Sequence, residues 1–382
     1  MKLIGFGLAA VTLLGAGTLF GSQLSKIDGQ MNAVTPHAAY VISDAAQALH
    51  DSLTIADLHT DTLLWDRDPT KRNDYGHVDL PRLAEGGVNL QIFSAVTKTP
   101  DGQNFNENAS DSDGLKKLVM AQMWPMRTWN SLYERAAYQA QRLQKLEANA
   151  KNNLVIIRNA ADLDAAEGKL ATLLLTEGAH PLEGKLENIA RLYNEGYRIM
   201  GLQHFFDNEL GGSMHGTSKA GLTKFGKDAV REMSAQGIII DVAHSSEAVV
   251  RDVLALTDKP VIISHGGVVA HCPRTANRNL PDELTTAIAE RGGIIGIGYF
   301  SGAICDISPK GIAKAIKDAV TLLGADAVAL GSDFDGGITA SLDTSELAVI
   351  TQELMNAGLD EAVIRKVMGE NAYRFFAENL PQ

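Results

Sequence analysis

The sequence predicts a (β/α)8 barrel of the TIM type, and three observations carry that expectation. Eight short runs are rich in β-branched and other apolar residues, at 55–58, 88–96, 171–176, 198–203, 238–243, 261–264, 294–299 and 328–331. Near-continuous apolar character suits parallel strands covered on both faces. Amphipathic helical stretches lie between the later runs, at 223–236, 246–256, 281–291 and 309–323. Glycine stands where helices should stop, at Gly196, Gly237, Gly292 and Gly324, the residue best suited to the left-handed turn after a helix. An open doubly wound sheet is the alternative layout of the same alternation.

Residues 3–25 carry no charge, and Lys2 stands just before them. This predicts, for residues 1–22, either a cleaved signal peptide or an uncleaved N-terminal membrane anchor. A linker follows over 23–40. Residues 41–382 form a single barrel domain, with a helical insertion between the second and third strands at about 97–170. That insertion holds a polar Asp/Asn-rich loop, a long helix over about 113–149 and a short strand over 154–157. A last helix over 360–378 closes the barrel.

Composition narrows the function. Lys+Arg 34 against Asp+Glu 46 gives a net charge of −12, without any basic cluster, which argues against a nucleic-acid partner. Two cysteines cannot build a disulfide framework; they allow one bridge, Cys272 to Cys305, in an oxidising compartment.

The residues that end the apolar runs point to chemistry. The first run ends in His59 and Asp61, the third in Glu177, the fourth in His204, the fifth in His244, the sixth in His265 and the eighth in Asp333. Barrel enzymes build their sites at the C-terminal rim of the strands, so these side chains should converge. In an H-x-D on a strand, residues i and i+2 share a side and can hold one metal. Imidazole and carboxylate donors suit zinc, and a glutamate can bridge two ions.

Seven segments in this order resemble the membrane (renal) dipeptidases, zinc metallopeptidases with an amidohydrolase-like barrel. They are DLHTD (57–61), LLTEGAHPLEG (174–184), GLQHFFDNELGGS (201–213), IIIDVAHSS (238–246), PVIISHGG (260–267), NRNLPDE (277–283) and LGSDFDGG (330–337). The resemblance spans about residues 50–378. It implies two zinc ions, one held by His59 and Asp61 and the other by His244 and His265, with Glu177 bridging. It implies hydrolysis of dipeptides by a metal-bridging hydroxide, with tolerance of a D-residue at the C-terminal position. His204 would steady the oxyanion, Asp333 would act as acid/base, and Arg278 would hold the substrate carboxylate, with Arg274 as its rival. It also implies a Cys272–Cys305 bridge, a homodimer, and export to a bacterial periplasm or anchoring in the inner membrane. Two alternatives stand beside this reading: another amidohydrolase-type hydrolase of amides, lactams or esters, and a non-catalytic metal-binding envelope protein.

Other residues have plainer expectations. Asp335, two residues past Asp333, points to the barrel mouth by strand alternation if the strand continues and supports the site without acting in catalysis, and Asp57 and Asp241 either orient an imidazole or serve strand-end structure. His180 and His215 are read as solvated loop residues, and Trp124, Trp129 and Tyr133 as packing residues of the inserted helix.

Overall fold

The computed structural model describes residues 23–382; the expected leader at 1–22 lies outside the described residues. Nine strands form one parallel sheet: β1 Ile55–Thr60, β2 Val88–Val96, β3 Leu154–Ile156, β4 Leu170–Glu177, β5 Tyr197–Gly201, β6 Ile239–Asp241, β7 Ile262–Gly266, β8 Ile294–Ile297 and β9 Val328–Leu330. Eight of them run in the order β2-β1-β9-β8-β7-β6-β5-β4, and pairing of β2 with β4 closes the ring. The barrel replaces the open-sheet alternative. β3 stands outside the ring, paired with Leu170–Thr172 of β4, whose later residues pair with β5.

The barrel interior is filled by Ala56, Leu58, Leu90, Ile92, Leu173, Leu175, Ile199, Ile239, Ile262, Ile294 and Ala329. Neighbours of the opposite parity, such as Ile55, Phe93, Leu174, Met200, Ile240 and Ile295, belong to the layer between strands and helices. The helices Lys224–Ala235, Glu247–Leu256 and Pro309–Leu323 start where Thr223, Ser246 and Ser308 accept a hydrogen bond from a first-turn amide, the usual N-cap device. The expected last helix is broken into Glu361–Arg365, a π turn Lys366–Glu370, and Asn371–Asn379. At Gly369 a side chain would strike the Thr54 carbonyl, so the backbone can press against β1. Phe375, Phe376 and Leu380 then plug the N-terminal end of the barrel interior.

Two expectations are corrected. The insertion does not carry one long helix: Leu115–Ala121 and Leu132–Glu147 are separated by a left-handed Met123, Pro125 and a 3-10 turn at Met126–Trp129. Proline cannot continue the hydrogen-bond ladder, so the chain bends there. Buried Arg135 ties the bend together, donating to the Thr97 and Thr128 carbonyls and to both oxygens of Asp113. The segment 23–40, expected as a linker, is docked on the rim. Residues 23–31 are helical, Val34 bridges Ala340, and Tyr40 donates to the Ser341 carbonyl at 2.6 Å.

Candidate active site

Strict alternation along β1 would turn His59 away from the interior, because Ala56 and Leu58 already face it. The register of β1 against β2 slips between Asp57 and Thr60, and this irregularity brings His59 inward. Asp61 follows beyond the strand, at the start of a 3-10 turn. The two groups meet as expected, His59 Nε2 lying 3.4 Å from Asp61 Oδ1. A slip and a turn bring this about, in place of simple alternation. β7 slips similarly between Ile263 and Gly266, around His265.

The other strand-end residues converge on Glu177 Oε1. His244 Nε2 is 3.1 Å away, His265 Nε2 3.4 Å, His204 Nε2 3.5 Å and His59 Nε2 3.8 Å. His244 Nε2 and His265 Nε2 are 3.0 Å apart, and Asp333 Oδ1 lies 3.8 Å from His59 Nε2. Three donor groups could each hold a metal ion: His59, Glu177 and His265; Glu177, His204 and His244; His59, Asp61 and Asp333. Buried His59 Nε2 and Asp61 Oδ1 have no hydrogen-bond partner among the described residues, a cost that a cation coordinated there would remove. The donor set therefore fits divalent metal.

The electrostatics agree. Burial, then the Asp61 carboxylate, pushes Glu177 well above the usual carboxylate range. Burial pushes Asp333 up to about 7, with Asp61 adding to the rise and His59 and Arg278 opposing it. Burial alone would lower His59, but Asp61, Glu177 and Asp333 drive it up to about 10. Burial holds His204, His244 and His265 well below the ordinary imidazole value, so their rings are neutral and can offer a lone pair.

The loop bearing Asp333 is stitched to β1. Asp61 N and Thr60 Oγ1 both donate to the Phe334 carbonyl, and Ser332 Oγ donates to the His59 carbonyl. Asp333 and Asp335 both sit at positive φ, 63° and 62°, a strained conformation that these contacts must hold.

Asp61, Glu177, His204, His244, His265 and Asp333 line a cavity of about 430 Å³ whose apolar walls include Leu64, Trp65, Phe105, Leu118, Phe205 and Phe300, and His59 lies fully buried behind them. Arg278 lines it too, 1% exposed, with Nη1 donating to the Ala243 carbonyl at 3.1 Å and Nη2 to the His265 carbonyl at 3.4 Å. No carboxylate lies within ion-pair distance of it among the described residues. Arg274 is exposed and outside the cavity. Cys272 and Cys305 are joined in a disulfide, Cα atoms 6.3 Å apart. The same loop is held by Asn279 Nδ2, which donates to Thr275 Oγ1 and to the Ala303 carbonyl.

Several residues stand differently from expectation. His180 and His215 are buried, and His215 stacks on Phe205 with ring centroids 4.8 Å apart. Asp335 does not face the cavity; it receives Arg67 Nη2 at 2.8 Å, Thr62 Oγ1 at 2.7 Å and the His77 amide at 2.7 Å. Arg67 also pairs with Asp28 at 2.9 Å, so the docked N-terminal segment, whose Met31 lines the cavity, is clamped to the loop that carries Asp333. Neither Asp57 nor Asp241 bonds an imidazole directly: Asp57 accepts the His59 and Ser332 amides, and Asp241 acts on Ser264. Ser264, a polar residue at the end of an apolar strand, was visible in sequence, whereas nothing in the polar stretch 23–34 marks Asp28 or Met31. Trp124 and Tyr133 pack in apolar clusters, as expected, with Trp129 partly buried beside Trp124.

Known proteins share this architecture. The chain is 28% identical over 330 residues to Dipeptidase 3 of Mus musculus, covering 79% of this chain and 63% of the mouse protein, so it spans less than two thirds of that relative. It is 28% identical over 317 residues to Dipeptidase tcpJ of Claviceps purpurea, covering 79% and 69%. The fold matches a metallo peptidase from Rhodobacter sphaeroides liganded with a phosphinate mimic of the dipeptide L-Ala-D-Ala, at TM-score 0.70 and 24% identity over 86% of this chain and 99% of that one. It also matches the probable dipeptidase PvdM of Pseudomonas aeruginosa, at TM-score 0.73 and 20% identity over 87% and 97%. The family described as membrane dipeptidase, Peptidase family M19, matches residues 43–380. That match covers the whole barrel and every strand-end residue of the cavity, and the chain belongs to the membrane dipeptidase family.

Proposed function

We propose that the chain is a zinc-dependent dipeptidase that cleaves the peptide bond of dipeptides and accepts a D-residue at the C-terminal position. One observation carries the reading: four imidazoles gather around Glu177 Oε1, with Asp61 and Asp333 beside His59, next to the cavity that Arg278 lines, a buried guanidinium with no carboxylate partner among the described residues. His59 and Asp61 would hold one ion and His244 and His265 the other, with Glu177 available to both. When bound, the two ions supply a hydroxide nucleophile at neutral pH and polarise the scissile carbonyl.

The chain's own residues do the rest. Arg278 spends two N–H groups on backbone carbonyls and keeps others for the substrate's terminal carboxylate, a bidentate pairing that sets peptide length and register. His204 Nδ1 faces the Lys98 carbonyl at 3.4 Å, which turns Nε2 into the cavity, 3.5 Å from Glu177 Oε1. A proton taken up at Nε2 as the carbonyl is attacked would steady the oxyanion. Asp333, poised at about 7, takes a proton as the peptide carbon is attacked and returns it to the leaving amine. The apolar walls exclude water and strengthen each of these interactions.

The dipeptide mimic bound by the Rhodobacter sphaeroides neighbour supports tolerance of a D-residue. The uncharged first segment and the disulfide support export to a periplasm, free or anchored in the inner membrane. The test is zinc quantification and a panel of L,L- and L,D-dipeptides on protein lacking residues 1–22. Two zinc ions per chain are expected, with hydrolysis abolished by chelation and restored by zinc. A fully metallated protein that released no amino acid from any dipeptide would sink the proposal.

A further inference from the structure

We infer that Ser264 is a positioning residue shared by both metal positions, its single hydroxyl fixing the ring orientation and tautomer of His59 and His265 together. The inference rests on the binuclear reading above and extends it to a residue outside the ligand set.

The argument is a count of donors and acceptors. Asp241, at the end of β6, is buried; its Oδ1 accepts the backbone amides of Ala243 at 3.1 Å and Ser264 at 3.0 Å. Its Oδ2 takes the Ser264 hydroxyl proton at 2.6 Å. A serine hydroxyl has one proton and two lone pairs, so with the proton committed to Asp241 the Oγ can only accept. Two groups face it: His265 Nδ1 at 2.9 Å and His59 Nδ1 at 3.2 Å. Both Nδ1 atoms must therefore carry a proton, and in a neutral ring Nε2 is then bare. These Nε2 atoms are the ones that approach Glu177 Oε1. Outer partners of this kind orient metal-binding imidazoles generally. What is particular here is that one oxygen serves a ligand of each ion.

The barrel makes room for this. β1 and β7 are not neighbours in the sheet; β8 and β9 lie between them. At Gly296 of β8 and Gly331 beyond β9, a Cβ would collide with the Ser264 carbonyl. Without side chains at those two positions, β7 and β1 approach closely enough for Ser264 to reach across, and the His59 and His265 rings lie 4.0 Å apart. His244 lacks such a partner: its Nδ1 has no hydrogen bond among the described residues.

The test uses zinc competition with a chelator and nitrogen-resolved NMR of the histidine rings. Wild-type protein should bind two zinc ions. In Ser264→Ala both positions should weaken by about 10- to 100-fold, while Ser264→Thr, which keeps the hydroxyl, should restore much of the loss. Metal-free wild type should carry the His265 proton on Nδ1. A proton on Nε2 would overturn the inference without any variant having to fold. Unchanged zinc affinity at both positions in Ser264→Ala, or weakening at one alone, would also overturn it. Wild type that binds no zinc yet keeps the His265 proton on Nδ1 would instead refute the binuclear reading and leave the hydrogen-bond assignment standing.

Discussion

Arg278→Met should abolish recognition of the substrate carboxylate and leave the metal centre intact. Arg278 is 1% exposed, its guanidinium lies over the Phe300 ring at 5.3 Å, and backbone carbonyls take only two of its five N–H donors. A carboxylate meeting the remaining fork gains two charge-assisted hydrogen bonds, each contributing about 1.5–2.5 kcal/mol in a site shielded from water. Together they amount to about 3–5 kcal/mol, or roughly 10²- to 5 × 10³-fold in kcat/KM. The assay compares a free dipeptide with its C-terminal amide. Wild type should prefer the acid by that factor, and Arg278→Met should bring the two substrates within about threefold by losing activity on the acid alone. Arg278→Lys, with the charge but not the planar fork, should fall between. Burial lowers the Arg278 pKa, so removing a buried charge without an ion-pair partner should not lower the melting temperature. If Arg278→Met kept the wild-type preference for the acid, the exposed Arg274 or another group would hold the carboxylate and the reasoning would fail.

Two further outcomes follow from buried groups around the site. Burial lowers His180 to about 3, so below the unfolded value of about 6.5 the unfolded chain takes up a proton that the folded chain refuses. Stability is then lost progressively as pH falls from about 6.5 towards 3, by about 2 kcal/mol at pH 5. His180→Met should shrink the drop in melting temperature between pH 7.5 and 5 by about 2–4 °C relative to wild type; an identical drop in both proteins would contradict this. Burial alone would raise Asp335, but Arg67 and His77 hold it well below the carboxylate range. Arg67→Met should therefore strand two buried carboxylates, Asp28 and Asp335, at a cost of about 3–5 kcal/mol. Hydrogen exchange should show residues 23–34 released from the rim, and unchanged protection there would refute the clamp.

The barrel was legible because its strands obey one rule: apolar runs buried on both faces, most of them followed by a polar residue. The interior strand residues follow that rule, and the seven groups that end the runs gather at one rim. The rule fails where geometry is not periodic. The slips in β1 and β7 are set by contacts with other strands, so alternation predicts the wrong face for His59. The helix break at Met123 was hinted by Pro125, but two apolar-rich flanks masked it. The clamp through Asp28, Arg67 and Asp335 joins residues separated by most of the chain, and no local pattern marks it. His180 and His215 looked like loop residues because burial on a rim depends on what folds over it.

The buried carboxylates divide into two sets with opposite duties, and this division explains how an acidic cavity can be stable in a chain of net charge −12. Asp57, Asp241 and Asp335 face backward, where backbone amides, the Ser264 and Thr62 hydroxyls or Arg67 satisfy their oxygens. They fix the strand ends and loops that carry the ligands. Asp61, Glu177 and Asp333 face the cavity, where Arg278 and the imidazoles answer them among the described residues. Three inward carboxylates against one guanidinium are what raises His59 to about 10: without a cation the site would draw in a proton. A divalent ion held there would offer more charge and would take the Nε2 lone pair in place of the proton. Metal uptake would then release a proton from His59, with the backward-facing set holding the ring in place.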